Sequence, residues 1–254
     1  MLEDVASIAA EAGRIAQARL GTAFRRWEKV PGHIVCDIDI EVDAFLHEQL
    51  QALDPAAGWL SEETLDVSDR YERPRVWVVD PIDGTKDYLR GRPGWCVSVA
   101  LVEDRVPVLG VLSAPQRGEL WTAERGRGAF RNGERLKVSG RREFAGARVP
   151  ADVLPQADRD LEPVDRPNSI ALRIAMVAAG EADLVATLKW GFEWDIAAAA
   201  LIAAEAGATV TGAVGQPFAF NTHSGEAFGV LVATPGIHAA AVERLRERAL
   251  ELVG

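Results

Sequence analysis

The chain has 254 residues, 48% of them hydrophobic and 26% charged, with a formal net charge of −10. That length accommodates one large domain or two compact lobes with a sizeable core, and the acidic balance argues against nonspecific nucleic-acid binding. No apolar run approaches the ~20 residues that span a bilayer, and Glu3 and Asp4 stand where a secretory leader carries basic residues. Cys36 and Cys96, the two cysteines, make no disulfide framework. A cytoplasmic protein with neither nucleic-acid nor membrane partners is expected.

Leu2, Val5, Ile8, Ala12, Ile15 and Ala16 recur at helical spacing, which predicts an amphipathic helix from residue 3 to about 20. A short apolar segment, 34–38, precedes a second helical pattern over 40–53. Gly58-Trp59-Leu60 reads as a strand running into a loop at Ser61-Glu62-Glu63. Residues 76–79 are β-branched and aromatic and lie between Pro74 and Pro81, the mark of a short buried strand. Pro81 cannot donate to a ladder, so this strand is expected to end there, with Asp80 at its carboxyl end. Residues 96–102 and 106–112 read as a β-hairpin, and 119–122 and 135–138 as further antiparallel strands. The polar segment 151–167, with Pro155, Pro163 and Pro167, reads as a loop or short helix at a lobe boundary. Beyond it come a helix over 169–179, a strand over 182–186 and an alanine-rich helix over 196–206 closed by Gly207. A strand over 228–233 and a final helix from Pro235 to about Leu252 follow. The pattern predicts an α+β lobe over residues 1–140 and a smaller α/β lobe over 141–254.

The densest chemistry is the run Asp80-Pro81-Ile82-Asp83-Gly84-Thr85. Ligands bind at the carboxyl ends of strands in sheets covered by helices, and the Gly84 and Thr85 amides can face an anion at the start of a short helix. Carboxylates for a metal and amides for a phosphate on one turn point to metal-dependent phosphate chemistry. Bound cations would also reconcile an acidic chain with an anionic substrate. Magnesium takes oxygen ligands, and two ions about 4 Å apart need carboxylates from separate segments. Asp80 and Asp83 are therefore joined as candidates by Glu62 or Glu63, Asp195 and Asp39. Each also has a plainer reading: Asp83-Gly84 is a turn dipeptide, Asp195 and Asp39 could cap the helices after them, and Glu62-Glu63 could be a solvated pair. His33, His47, His223 and His238 show no metal-ligand spacing, and Trp77, Trp95, Trp121 and Trp194 read as packing residues.

Taken together, Ser61-Glu62-Glu63, the Asp80–Thr85 run and Trp194-Asp195 with its alanine-rich helix resemble the three motifs of the inositol monophosphatase superfamily. That group includes inositol monophosphatases, 3′(2′),5′-bisphosphate nucleotidases and fructose-1,6-bisphosphatases. Residues 34–43 match the family's segment ahead of the glutamate pair, and 125–133 resemble its glycine-punctuated β segment. The resemblance implies a layered αβαβα sandwich of the sugar-phosphatase type, a homodimer, two or three Mg2+ ions and inhibition by lithium. It places one magnesium on Glu62, Asp80 and the Ile82 carbonyl, a second on Asp80, Asp83 and Asp195, and a weaker third with help from Glu62. The Gly84 and Thr85 amides would bind the phosphate. Asp39, with the Thr85 hydroxyl, would orient and deprotonate the attacking water, since a hydroxyl is a poor base at neutral pH without a carboxylate behind it.

For the substrate, the stretch 187–192 lacks the glutamate that inositol monophosphatases place ahead of the final motif. Lys189 there favours a further anionic group over a neutral polyol. Lys86-Asp87-Tyr88, Glu193-Trp194-Asp195 and Ala171-Leu172-Arg173, with Arg173 standing for a lysine, are similar to the nucleotidase branch. A small phosphorylated metabolite is the expected partner. A bisphosphate nucleotidase ranks ahead of an inositol 1-phosphatase, and a noncatalytic regulatory protein on the same fold ranks last, because all five carboxylate positions are filled.

Overall fold

Two amphipathic helices open the chain in the computed structural model, which describes all residues except 24, 31–32, 65–67 and 254. Helix α1 (Leu2–Ala18) buries Val5, Ala9, Ala12 and Ala16, and after a small antiparallel pair, β1 (Arg26–Val30) and β2 (His33–Cys36), helix α2 (Asp37–Leu53) buries Ile38, Val42, Leu46 and Leu50. Spacings of three and four put each set on one stripe. Both stripes face a seven-stranded sheet whose strands follow in sequence order. These are β3 (Gly58–Ser61), β4 (Arg75–Asp83), then, past the short α3 (Thr85–Leu89), β5 (Cys96–Glu103), β6 (Val106–Ala114), β7 (Glu119–Glu124), β8 (Gly128–Arg131) and β9 (Glu134–Arg135). The first two strands are parallel, and every later pair is antiparallel.

A short parallel pair, β10 (Arg148–Pro150) and β11 (Glu162–Val164), leads to α4 (Ile170–Ala178), β12 (Leu184–Phe192), α5 (Glu193–Glu205), β13 (Thr209–Thr211), β14 (Glu226–Ala233) and α6 (Pro235–Val253). The second sheet is antiparallel, in the order β12-β14-β13.

Side-chain alternation fixes the layers. Trp77, Val79, Val97, Val99 and Val111 pack with α1 and α2, whereas Val76, Val78, Ala100, Val102 and Leu112 pack with α4 and α5. A strand that alternates between two cores is buried along its length, which is why its sequence shows no polar face. The second sheet repeats the device: Val185, Val230 and Val232 join α4 and α5, while Leu184, Leu231 and Ala233 meet Ile237, Ala241 and Leu245 of α6. The result is the expected αβαβα sandwich. Helix α5 lies between two sheets, so it is apolar nearly all round, and its alanines allow close approach: a Cβ on Gly110 of β6 would stand 2.7 Å from the Ala198 carbonyl. Gly207, at φ 97°, terminates it as expected.

Several boundaries differ from the sequence expectation. Strand β4 does not end at Pro81. Asp80 pairs with Ser98 and Asp83 with Cys96, so three steps on β4 oppose two on β5, and Pro81 sits in a bulge where its missing N–H costs no ladder bond. Helices α2 and α5 begin three residues earlier than expected. Asp39 and Asp195 occupy the third helical position and fold back to accept the N–H groups of Cys36 (2.7 Å) and Phe192 (3.3 Å), so neither is the capping residue itself. Strand β9 stops at Arg135, and β12 runs on to Phe192. The segment 151–167 contains a single 3-10 turn, Gln156–Asp158, and β11. Among the described residues no helix is long and apolar enough to cross a membrane.

Candidate active site

The bulge in β4 brings Asp80 and Asp83 to the same end of the strand. Asp80 is 1% exposed and accepts the Ile82 N–H at 2.9 Å. Asp83 reaches to the start of α4, where it accepts from Ser169 Oγ (2.5 Å) and the Ala171 N–H (2.8 Å). Gly84 follows with φ 95°, and a Cβ there would lie 2.7 Å from the Gly94 carbonyl, 2.9 Å from Ser169 N and 3.1 Å from Trp95 Cα. All three are backbone atoms, so only glycine fits this turn. The Thr85 hydroxyl donates to the Ile82 carbonyl at 3.2 Å.

Asp195 enters from the first turn of α5. One carboxylate oxygen from each of Asp80, Asp83 and Asp195 lies within 4.8 Å of the others. Glu62 comes from the turn after β3, with its N–H on the Val79 carbonyl, and lines the same cleft of about 190 Å3 as Asp80, Ile82, Asp83, Gly84, Thr85 and Asp195. Asp43 of α2 anchors that turn by accepting from the Ser61 and Thr64 hydroxyls. Glu62, rather than Glu63, is therefore the member of the pair that faces the cleft. Asp39 is buried nearby and acts on Asp80 through its charge.

Burial pushes the Asp80 carboxyl well above the usual carboxylate range, and the charges of Glu62, Asp83, Asp195 and Asp39 add to the rise. Asp83 is raised by burial despite the bonds from Ser169 and Ala171. Asp195 is pushed up to about 7 by burial and by Asp83, against the opposing effects of the Phe192 N–H and Lys189. Buried carboxylates that repel one another, with oxygen as the only donor type, fit a hard divalent cation such as magnesium.

Of the two residues proposed for substrate, Arg173 has a definite structural task. It donates to the carbonyls of Pro167 (2.8 Å) and Asn168 (2.5 Å), fixing the loop ahead of α4. It also lines, with Lys189, a second cavity of about 500 Å3 that adjoins Asp83 and Asp195 and is lined further by Lys86 and Arg166. Sequence reading singled out neither Ser169 nor Arg166. The first has the signature of a helix-capping serine, and it accepts the Leu172 N–H at 2.9 Å. Glu193, next to the final motif, faces away from metal chemistry: it is buried and accepts the Asn221 and Thr222 N–H groups at 2.5 and 2.8 Å. Buried Arg70 holds the same loop through the Thr222 carbonyl (2.8 Å), so the entry to α5 is clamped from two sides. Trp77, Trp95 and Trp121 are core residues, as expected, and Trp194 stacks on Phe192 with ring centroids 4.4 Å apart. His238 meets Thr211, and His47 packs edge-on against Trp59, away from the carboxylates. The side chain of His33 lies outside the described residues.

Five layers and a convergent carboxylate trio beside a basic cavity describe a metal-dependent hydrolase of phosphate esters. Comparison with known proteins supplies the family. The profile of the inositol monophosphatase family matches residues 1–253. The chain is 30% identical over 258 residues to inositol monophosphatase 2 of Solanum lycopersicum, covering 89% of this chain and 97% of that one. It is 31% identical over 238 residues to the 3′(2′),5′-bisphosphate nucleotidase CysQ of Aggregatibacter actinomycetemcomitans, covering 87% of each. Among solved structures, extragenic suppressor protein suhB from Bartonella henselae superposes with a TM-score of 0.84 at 28% identity, over 96% of this chain and 98% of that one. The chain belongs to the inositol monophosphatase family and is a metal-dependent phosphoric monoester hydrolase.

Proposed function

We propose that this phosphatase is a magnesium-dependent 3′(2′),5′-bisphosphate nucleotidase. One observation carries the choice: the cavity beside Asp83 and Asp195 is lined by Lys86, Arg166, Arg173 and Lys189. These cations, of which Arg166 is also paired with Asp152 at 2.7 Å, suit a substrate with a second phosphate, because the uncharged ring of a polyol monophosphate gives them nothing further to neutralise.

In this reading Glu62, Asp80 and the Ile82 carbonyl would hold one magnesium, Asp80, Asp83 and Asp195 would hold a second, and Glu62 would assist a weaker third. Bound magnesium supplies a Lewis acid for the phosphoryl oxygens and lowers the pKa of water. The chain's own groups do the positioning. Gly84 and Thr85 offer backbone N–H groups to the scissile phosphate, on a turn that the close backbone around Gly84 makes rigid. The Thr85 hydroxyl, which donates to the Ile82 carbonyl in this structure, would turn to Asp39 in the loaded site, orient the attacking water and pass its proton on. Lys86, Arg166, Arg173 and Lys189 take the remaining phosphate. The reading includes a cytoplasmic homodimer inhibited by lithium, in keeping with the family resemblance.

The length of the match to a tomato inositol monophosphatase supports a second reading, hydrolysis of inositol 1-phosphate. Phosphate release from adenosine 3′,5′-bisphosphate, inositol 1-phosphate and fructose 1,6-bisphosphate, with magnesium and with EDTA, separates the two. The expected outcome is the highest kcat/KM for the nucleotide and no turnover in EDTA. A preference for inositol 1-phosphate would hand the assignment to the second reading, and no magnesium-dependent release from any of the three would remove the enzyme reading altogether.

A further inference from the structure

Trp190 is the most exposed tryptophan among the described residues. Trp77, Trp95 and Trp121 are at most 1% exposed, yet Trp190 is 58% exposed. An indole left in water forgoes the burial that ordinarily repays its size. This one also has a defined place, for it lines the 500 Å3 cavity together with Lys86, Arg166, Arg173 and Lys189. The other exposed indole among the described residues, Trp27 at 44%, lies on β1 and lines none of the cavities found around the site.

The backbone shows how the ring is held there. Thr187 pairs with Val230 and Trp190 with Phe228, so Leu188 and Lys189 of β12 stand opposite Gly229 alone. Bulges of this kind re-aim side chains beside active sites. Gly229 has φ 62°, and a Cβ on it would lie 2.6 Å from the Thr187 carbonyl, so the bulge needs glycine at that point. Phe228, almost fully buried, meets the indole edge-on with ring centroids 5.4 Å apart and an interplanar angle of 65°. A buried ring therefore buttresses an exposed one at the rim of a basic cavity.

We propose that Trp190 is the platform on which the nucleobase of the substrate stacks, and that it sets the preference for a nucleotide over a nonaromatic phosphate ester. Stacking needs only a π-face, so the platform recognises the class of aromatic base without selecting one base by hydrogen bonds. The cations beside it fix the phosphates, and the ring between Phe228 and solvent takes the base. The inference deepens the nucleotidase reading and rests on it for the identity of the substrate.

The test compares two probes of equal phosphate charge, adenosine 5′-monophosphate and ribose 5-phosphate, by calorimetry in EDTA buffer, where neither is turned over. Wild-type protein is expected to bind the adenosine compound about tenfold more tightly. Trp190→Ala should bring the two affinities together, Trp190→Phe should keep most of the difference, and Trp27→Ala should leave it unchanged. In magnesium, Trp190→Ala should raise KM for adenosine 3′,5′-bisphosphate about tenfold with kcat held, and leave KM for inositol 1-phosphate alone. Equal wild-type affinities, or discrimination that survives in Trp190→Ala, would overturn the platform even if the enzyme prefers nucleotides. A Trp190-dependent preference for the adenosine probe in an enzyme that turns over inositol 1-phosphate fastest would keep the platform and overturn the nucleotidase reading.

Discussion

Asp80 sits where its negative charge is least welcome, buried at the end of a strand and facing Glu62, Asp83, Asp195 and Asp39. Such an arrangement has a stability cost that a structural role would not require, since the hydrogen bond Asp80 accepts from the Ile82 N–H could be kept by asparagine. Asp80→Asn is therefore expected to raise the thermal midpoint of the metal-free protein by about 3 °C and to lower magnesium-dependent phosphate release by orders of magnitude. Differential scanning calorimetry in EDTA and the phosphate assay read the two effects, and a lowered midpoint would show that the charge is compensated in the metal-free fold. Asp80, Asp83, Gly84 and Thr85 were legible in the sequence because they are nearly consecutive and follow an apolar run. Ser169 was not, because its partner Asp83 lies 86 residues away and a serine ahead of a helix has an ordinary explanation as a cap. Trp190 was hidden for a related reason: among seven tryptophans, composition cannot say which are left in water.

At the scale of elements, periodicity found the long helices and the main strands of both sheets, passed over the short strands β1, β2, β8, β10, β11 and β13, and missed where the others end. Asp39 and Asp195 look like caps in sequence, yet a carboxylate in the first turn can close back on the residue before the helix, which moves the start three residues upstream. Strands β4 and β12 both continue through bulges, and a bulge breaks the two-residue alternation that sequence reading relies on. Long-range ties between elements leave still less trace. Asp183, just ahead of β12 and 1% exposed, accepts from Arg148 Nε (3.0 Å), Nη2 (2.8 Å) and backbone N (2.9 Å) and from Ser139 Oγ (2.5 Å), joining β10 to the second sheet. Burial alone would raise its carboxyl, but the bonds from Arg148 and Ser139 outweigh that and hold it below its ordinary value of 3.8. With the folded value depressed, the unfolded chain binds the proton more readily. The contribution is thus present above pH 4 or so and is lost as pH falls through the folded value. Asp183→Asn is expected to cost about 3 kcal/mol at pH 7 and to flatten the stability loss of the protein below about pH 4. Urea unfolding across that range checks both, and a variant within about 0.5 kcal/mol of wild type at pH 7 would remove Asp183 as a tie between β10 and the second sheet.

For the whole molecule, the site lies where the layers meet. Glu62 follows β3, Asp80 and Asp83 end β4 of the first sheet, Ser169 caps α4, and Asp195 starts α5, the helix packed between the two sheets. A cation held by these carboxylates would join segments separated by more than 130 residues along the chain, from Glu62 to Asp195. It would also remove the repulsion that raises Asp80 and Asp195. Ligand binding to the folded state alone stabilises by RT ln(1 + [L]/Kd), about 2.7 kcal/mol at a hundred times Kd. For a chain of this size that corresponds to a rise in thermal midpoint of roughly 5–10 °C. The net charge of −10 offers a competing cause, because any salt screens self-repulsion at the surface. Sodium chloride at matched ionic strength separates the two, since screening acts with either salt and site binding only with the divalent one. Melts followed by circular dichroism should therefore show the larger rise in magnesium, its reversal by EDTA, and its loss in Asp195→Asn, whose response to sodium chloride should match that of the wild type. Equal shifts in the two salts would place the stabilisation on the surface and leave the carboxylate cluster without a resident ion.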